Sequence, residues 1–153
     1  MPQKGSAEMS YTYKDNTDEV LSKMEKAIER GLEAIGMTAE GHAKKVLTKA
    51  VYTGDKDYPL TGRLRNSITY AVSGKKAAVQ SYSGDHGEEG GTYDGTAPDD
   101  KEKAVYLGTN VVYAAGIETG SHRKAGAVHF LQKGATEPKD EFKRLMEDSM
   151  KNA

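Results

Sequence analysis

The segment from Thr17 to Val51 constrains the fold more than any other part of the chain. Leu21, Met24, Ile28, Leu32, Ile35, Ala39, Ala43, Val46 and Ala50 recur at intervals of three and four. That spacing places side chains on one apolar stripe of an α-helix. At 1.5 Å per residue the helix spans about 50 Å. Asn16 with Glu19 three residues later resembles a capping arrangement. Asp18 and Glu19 at the start, and Lys44, Lys45 and Lys49 near the end, carry charge in the sense the helix dipole favours. Gly31, Gly36 and Gly41 each cost up to ~1 kcal/mol relative to alanine, and a kink is expected near Gly36. A coiled coil is one use of such a stripe. Its richness in Ala and Gly favours the other, packing across one face of a sheet.

A second informative stretch runs from Val105 to Gly120. Val105, Tyr106, Val111, Val112 and Tyr113 suit a pleated, half-buried surface, and Gly108-Thr109-Asn110 reads as a bulge or tight bend. After Tyr113 the period changes, with Ala114, Ile117 and Glu118 at i, i+3 and i+4. Gly120 stands where a glycine closes a helical turn. A strand running into one helical turn is predicted.

Between these landmarks, Tyr52 to Leu60 is a loop marked by Gly54 and Pro59. Thr61 is placed to cap a single turn carrying Gly62–Asn66. A strand over Ser67–Ser73 follows, with Ile68, Tyr70 and Val72 on one face, and Gly74-Lys75-Lys76 reads as a hairpin turn into a return strand, Ala77–Tyr82. Near the C-terminus, Val128, Phe130 and Leu131 bring the chain back to the core. Thr136–Met150 then reads as a helix capped by Thr136, with Pro138 in its first turn and Phe142, Leu145, Met146 and Met150 as its buried stripe. The predicted class is α+β: a small antiparallel sheet packed by a long N-terminal helix and a C-terminal helix. Residues 1–16 form an arm, which either frays or adds a short strand to a partner through the alternation at Tyr11 and Tyr13. Residues 17–153 form one domain, with 83–103 as an extended, flexible acidic hairpin loop.

That loop is unusual in composition. Residues 83–100 hold Asp85, Glu88, Glu89, Asp94, Asp99 and Asp100, no Lys or Arg, and five glycines, so no core is expected there. A loop of this length is either functional or simply mobile. It is a poor Ca²⁺ site, because the spaced carboxylates and terminal Glu of a calcium loop are missing.

Composition narrows the function. Lys and Arg number 22 against 23 Asp and Glu, so net charge points to no polyanion partner. Apolar residues make up 36%, with two Phe, no Trp and nine Tyr. Such a lean core with many tyrosines suits either a modest ordinary domain or one that completes its burial against neighbours. With no cysteine, disulfide and thiol chemistry are excluded. No apolar run approaches the roughly 20 residues that cross a bilayer, and the first residues lack the apolar core of a signal peptide, so a soluble cytoplasmic product is expected.

Chemistry is hard to find. Histidines 42, 86, 122 and 129 show no paired metal-ligand spacing. Neither a phosphate loop nor a G-x-S-x-G elbow is present, and Asp85-His86 sits among glycines that could not hold an acid–base geometry. No catalytic residue, metal or cofactor is assigned, and the chain is expected not to be an enzyme. Arg63 and Arg65 are the best candidates for an ionic contact, one along the sheet edge and the other with a carboxylate such as Glu118. His122, Arg123 and Lys124 form a basic loop, either solvated or meeting an acidic partner such as the 83–100 arm of a neighbouring copy.

Three blocks give a sharper reading. The stretch VYLGTNVVYAAGIETGS, from Val105 to Ser121, resembles the signature of the small head–tail joining, or tail-completion, proteins of long-tailed bacteriophages. Thr61–Ile68 is similar to that family's TGxLRNSI, and Phe130-Leu131 with Ala135 resembles its PFLxPA block. His129 and Gly134 replace the two prolines of the last block, and Ala115-Gly116 stands where the family often has a proline before its aromatic. The resemblance covers about residues 18 to 150. It implies a structural virion protein of the head–tail neck, forming a ring, six copies to match the tail, between the head connector or stopper and the tail terminator or tail tube. Genome DNA would pass through the lumen without specific binding, no membrane is involved, and the protein waits in the host cytoplasm before assembly. Candidate interface residues are Arg63 and Arg65; Asp85, Glu88, Glu89, Tyr93 and Asp94 of the acidic arm; Tyr113 and Glu118; and His122, Arg123 and Lys124. A tail-terminator-like component is the near alternative. A nucleic-acid-binding accessory protein is the distant one, and it requires folding to unite Lys75-Lys76 with Arg123-Lys124 into a basic face.

Overall fold

The computed structural model describes residues 12–52, 62–77, 80–82, 91–93, 97–98, 102–121 and 123–153. The fold is α+β, with helix α1 (Thr17–Leu47) as its spine. The helix runs unbroken through Gly36 and ends in a π-helical turn at Thr48–Tyr52. Its start is not capped as the sequence suggested. Asn16 makes no side-chain cap bond. Instead the Asp15 carboxylate accepts the Thr17 backbone N–H at 2.9 Å and the Thr17 hydroxyl. Those two bonds, the hydroxyl first, hold the Asp15 carboxyl below its ordinary pKa.

Short elements line α1 in order along its length. Helix α5 (Lys139–Lys151) crosses the early turns: Met146 lies over Gly31, and the Ser149 hydroxyl donates to the Ala27 carbonyl. Strand β1 (Thr69–Val72) comes next, with the Tyr70 ring seated against Gly36 so closely that a Cβ there would overlap it. Helix α4 (Phe130–Thr136) covers the later turns. A Cβ on its Gly134 would lie 2.7 Å from the Ala43 Cβ and 2.9 Å from the Ala39 carbonyl oxygen.

These close approaches set the face that α1 buries. The buried positions are Ala27, Gly31, Leu32, Gly36, Ala39, Ala43 and Leu47. Leu32, Ala39 and Ala43 of the expected stripe are among them, and the rest of the buried face falls on neighbouring positions, mostly small side chains that admit backbone and rings. Ile28, Ile35 and Val46 flank it half-buried, while Leu21 and Met24 are exposed.

The sheet differs from the expected hairpin. The chain does turn after β1, with the Lys75 N–H donating to the Val72 carbonyl at 2.9 Å. Yet β1 pairs antiparallel with β4 (Val105–Gly108), Thr69 opposite Gly108 and Val72 opposite Val105. Strand β2 (Gln80–Tyr82) pairs instead with β3 (Gly91–Tyr93). Cross-strand side-chain contacts stabilise a sheet. Leu107 and Tyr106 opposite Tyr70 and Ala71 supply them, where the short side chains of Ala77 and Ala78 would supply little.

Two further expectations are corrected at this level. The 83–103 segment contains strand β3, and Ala97 is buried with Ala71 and Ala77 under Tyr106 in a small second cluster. Ser67 closes helix α2 (Arg63–Ser67) instead of opening β1, and Ile68 joins the two.

The main core gathers around Phe130, which is fully buried with Leu47, Val51, Leu64, Ile68, Val111, Ala114, Ile117 and Val128 about it. Helix α3 (Ala114–Thr119) supplies two of these residues and ends on Gly120 at φ 75°, the left-handed position its sequence suggested. Gly120 also abuts the Ala127 nitrogen at 2.5 Å from an added Cβ, so the site admits no side chain. The last helical segment is split. Thr136 ends α4, its hydroxyl donating to the Gln132 carbonyl at 2.7 Å, and Pro138 takes the N-cap of α5. Helix α5 buries no residue fully, so Phe142, Leu145, Met146 and Met150 form only a half-buried stripe.

Candidate interaction surface

Of the candidate interface residues, the fold brings Arg63 and Tyr113 together. Arg63 opens α2 and is only 6% exposed, its guanidinium carbon 5.9 Å from the centroid of the Tyr113 ring. Tyr113 in turn packs on the main core. A guanidinium over a tyrosine face is held by the ring quadrupole, so this pair braces α2 against α3 from within. Arg65 is half-buried, its Nη1 donating to the Thr48 hydroxyl at 3.4 Å.

Glu118 was offered as an arginine partner. Its two carboxylate oxygens instead accept the backbone N–H groups of Leu131 at 2.9 Å and Gln132 at 3.0 Å. Both donors lie in the first turn of α4, whose amides have no intrahelical acceptor. The carboxylate is therefore a helix cap supplied from a distance, at the end that favours negative charge. His129 enters that helix at φ 52°, in the left-handed region, and its own side chain makes no cap bond.

Arg123 closes its own loop, Nη1 donating to the Gly126 carbonyl at 2.6 Å, while Lys124 is exposed. Tyr93 ends β3. Asp85, Glu88, Glu89, Asp94 and His122 lie outside the described residues, as does most of the N-terminal arm.

Two features escaped sequence reading. One is an overhang. Every residue of α1 from Thr17 to Lys26 is exposed, and Val20, Leu21 and Met24 present 51%, 52% and 39% of their surface on one side of it. The signal was present in the stripe, but a stripe does not say where the body beneath it stops. The other is an open groove of ≈ 480 Å³ at the opposite end of α1, lined by Val46, Lys49, Ala50, Arg123, Ala125, Ala127, Val128, Lys133 and Glu137. Glu137 pairs across its edge with His42 at 3.0 Å. A further open groove, of ≈ 620 Å³, lies between α1 and Leu145 of α5, and its charges alternate among Lys26, Glu29, Arg30, Glu33 and Lys75.

The charge layout bears on nucleic-acid binding. Lys75 pairs with Glu29 at 3.2 Å, whereas Arg123 lines the groove beside Val46. Residues 29 and 46 stand about 25 Å apart along a helix, so the two basic pairs do not merge into one face. Among the described residues no group of three or more His, Asp or Glu is placed to hold a metal ion. Nor, among them, is any helix long and apolar enough to cross a membrane. Arg63, Arg123 and Glu118 serve internal bracing and capping. Val20, Leu21 and Met24 on the α1 overhang form a group of uncovered large apolar side chains, with Tyr13, Met37 and Val112 exposed elsewhere. No family model, curated protein or solved structure matches the chain.

Proposed function

We propose that the chain is a structural virion protein of the phage head–tail neck, a tail-completion or head–tail joining protein that assembles as a ring. One observation carries the reading. The three blocks with family resemblance, at 61–68, 105–121 and 130–135, lie far apart in sequence, yet they contribute Leu64 and Ile68, Val111, Ala114 and Ile117, and Phe130 to a single core cluster. All three blocks therefore belong to the framework that shapes the body, as apolar segments of one small domain share its core, and the resemblance bears on the fold as well as on local sequence. The exposed apolar overhang of α1 supports assembly with neighbours, since burial there is left for another surface to complete. In this reading the body docks side by side with further copies, between connector and tail, and its role is mechanical.

The test is electron microscopy of lysates from a phage lacking the gene. Filled heads beside complete, unattached tails are expected. Normal virions would overturn the neck reading.

A further inference from the structure

We infer that the α1 overhang of one copy seats in the groove at the far end of α1 in the next copy, joining copies head to tail. The inference rests on the ring reading above and names the surfaces that would build the ring.

The two surfaces match in chemistry. On the overhang, Val20, Leu21 and Met24 form the apolar face. Asp18 and Glu25 are seven residues apart, hence on one line of the helix along an edge of that face. Lys23 on the other edge is paired with Glu19 at 2.9 Å. In the groove, Val46, Ala50 and Val128 supply an apolar floor, and Lys49, Arg123 and Lys133 supply cations around it. Among the described residues one carboxylate lines the groove, Glu137, and it is engaged by His42 at 3.0 Å. An apolar ridge with an acidic edge thus faces an apolar floor with a basic rim, the arrangement that steers partners and sets their register.

Geometry excludes the chain's own overhang as the occupant, and the matched chemistry points to that of a second copy. Val20 and Val46 lie on one continuous helix, 26 residues and about 40 Å apart. A copy cannot place its own overhang in its own groove. Because the two surfaces differ, their contact is heterologous, and a heterologous contact closes into a ring when its rotation divides a full turn. The competing arrangement is an isologous pair in which two overhangs pack on each other and the grooves stay empty.

Blocked copies separate these cases. The overhang variant carries Leu21→Asp with Met24→Asp, and the groove variant carries Lys49→Glu with Lys133→Glu. All four side chains are exposed, so circular dichroism should match the wild type. Sedimentation of the full chain should show concentration-dependent assembly for the wild type and monomers for each variant alone. An equimolar mixture of the two variants should form a one-to-one dimer and nothing larger, since each supplies one working surface. Assembly of the groove variant at wild-type strength would overturn the inference in favour of paired overhangs. Two monomeric variants that stay monomeric when mixed would also overturn it. A wild-type chain that remains monomeric at every concentration would remove the ring reading itself, whereas wild-type assembly that survives both pairs of substitutions removes only the proposed joint.

Discussion

The two halves of α1 share one apolar period and meet opposite surroundings. In the second half the residues turned inward are Gly36, Ala39, Ala43 and Leu47, mostly small, and they are pressed by the Tyr70 ring, Gly134 and the Phe130 cluster. In the first half the large residues Val20, Leu21 and Met24 lie uncovered, and the first buried position is Ala27. Along this helix the buried face is mostly small, Leu32 and Leu47 excepted, whereas the uncovered first turns carry larger apolar side chains. Small residues let backbone and rings approach the helix axis, and the density of that contact holds the body together. Large apolar residues on an exposed turn contribute little to the monomer and stay available to another surface. The lesson is that one stripe can encode folding at one end and assembly at the other.

Substitutions should expose this asymmetry in stability. The largest effect is expected from Phe130→Ala. Its ring is fully buried at the centre of the core beside the second half of α1, and its loss should cost about 3–5 kcal/mol in denaturant unfolding. A loss below about 1 kcal/mol would mean that this core does not anchor the fold. Next comes Gly134→Ala. The added methyl meets the Ala43 Cβ at 2.7 Å and backbone oxygen at 2.9 Å, so α4 must shift away from α1, at a cost of about 1–3 kcal/mol. Unchanged stability would show that the helix–helix approach is looser than the geometry requires.

A third prediction probes the middle of α1 through pH. Tyr70 donates its phenol to Glu33 at 2.9 Å. Burial, then that bond and the charges of Glu33 and Glu40, push its pKa up to about 12 from 10.0. The folded state thus holds the proton more tightly than the unfolded chain. The associated stability is present below pH 10 and is lost as pH rises from about 10 towards 12. Tyr70→Phe should remove that part of the alkaline loss, and identical alkaline unfolding in both proteins would refute it. The smallest effect is expected at the overhang. Leu21→Ser and Met24→Ser should each change monomer stability by no more than about 0.5 kcal/mol, as for exposed positions without partners. A loss near that of Gly134→Ala would place these residues in the core of the monomer and abolish the contrast.

Much of the framework was legible from residue order. The 3-and-4 spacing predicted α1 to within its last turn, and the change of period at Tyr113 with Gly120 after it predicted α3 and its left-handed end. These features are local, set by spacing along the chain and by the conformational freedom of one glycine. Reading failed where the answer depended on what lies opposite. The turn at Gly74 was visible, but a turn does not say which strand fills the adjacent place, and β4 took it from the residues after the turn. Thr136 looked like a cap because threonine caps helices; here it ends α4, and α4 receives its cap from Glu118 in α3. At the candidate surface, Arg63 and Tyr113 were both singled out, and the cation–ring contact that joins them was not.

What the sequence by itself determined is the set of elements: a long amphipathic helix, a strand-to-helix turn ending on glycine, and a chain without cysteine chemistry. The tertiary structure alone decided which side of α1 is buried, which strands pair, and that the body ends before Ala27, leaving three large apolar side chains outside it. The reason is physical. Periodicity and propensity act between residues a few positions apart, while burial is a property of whatever surface happens to lie across the gap.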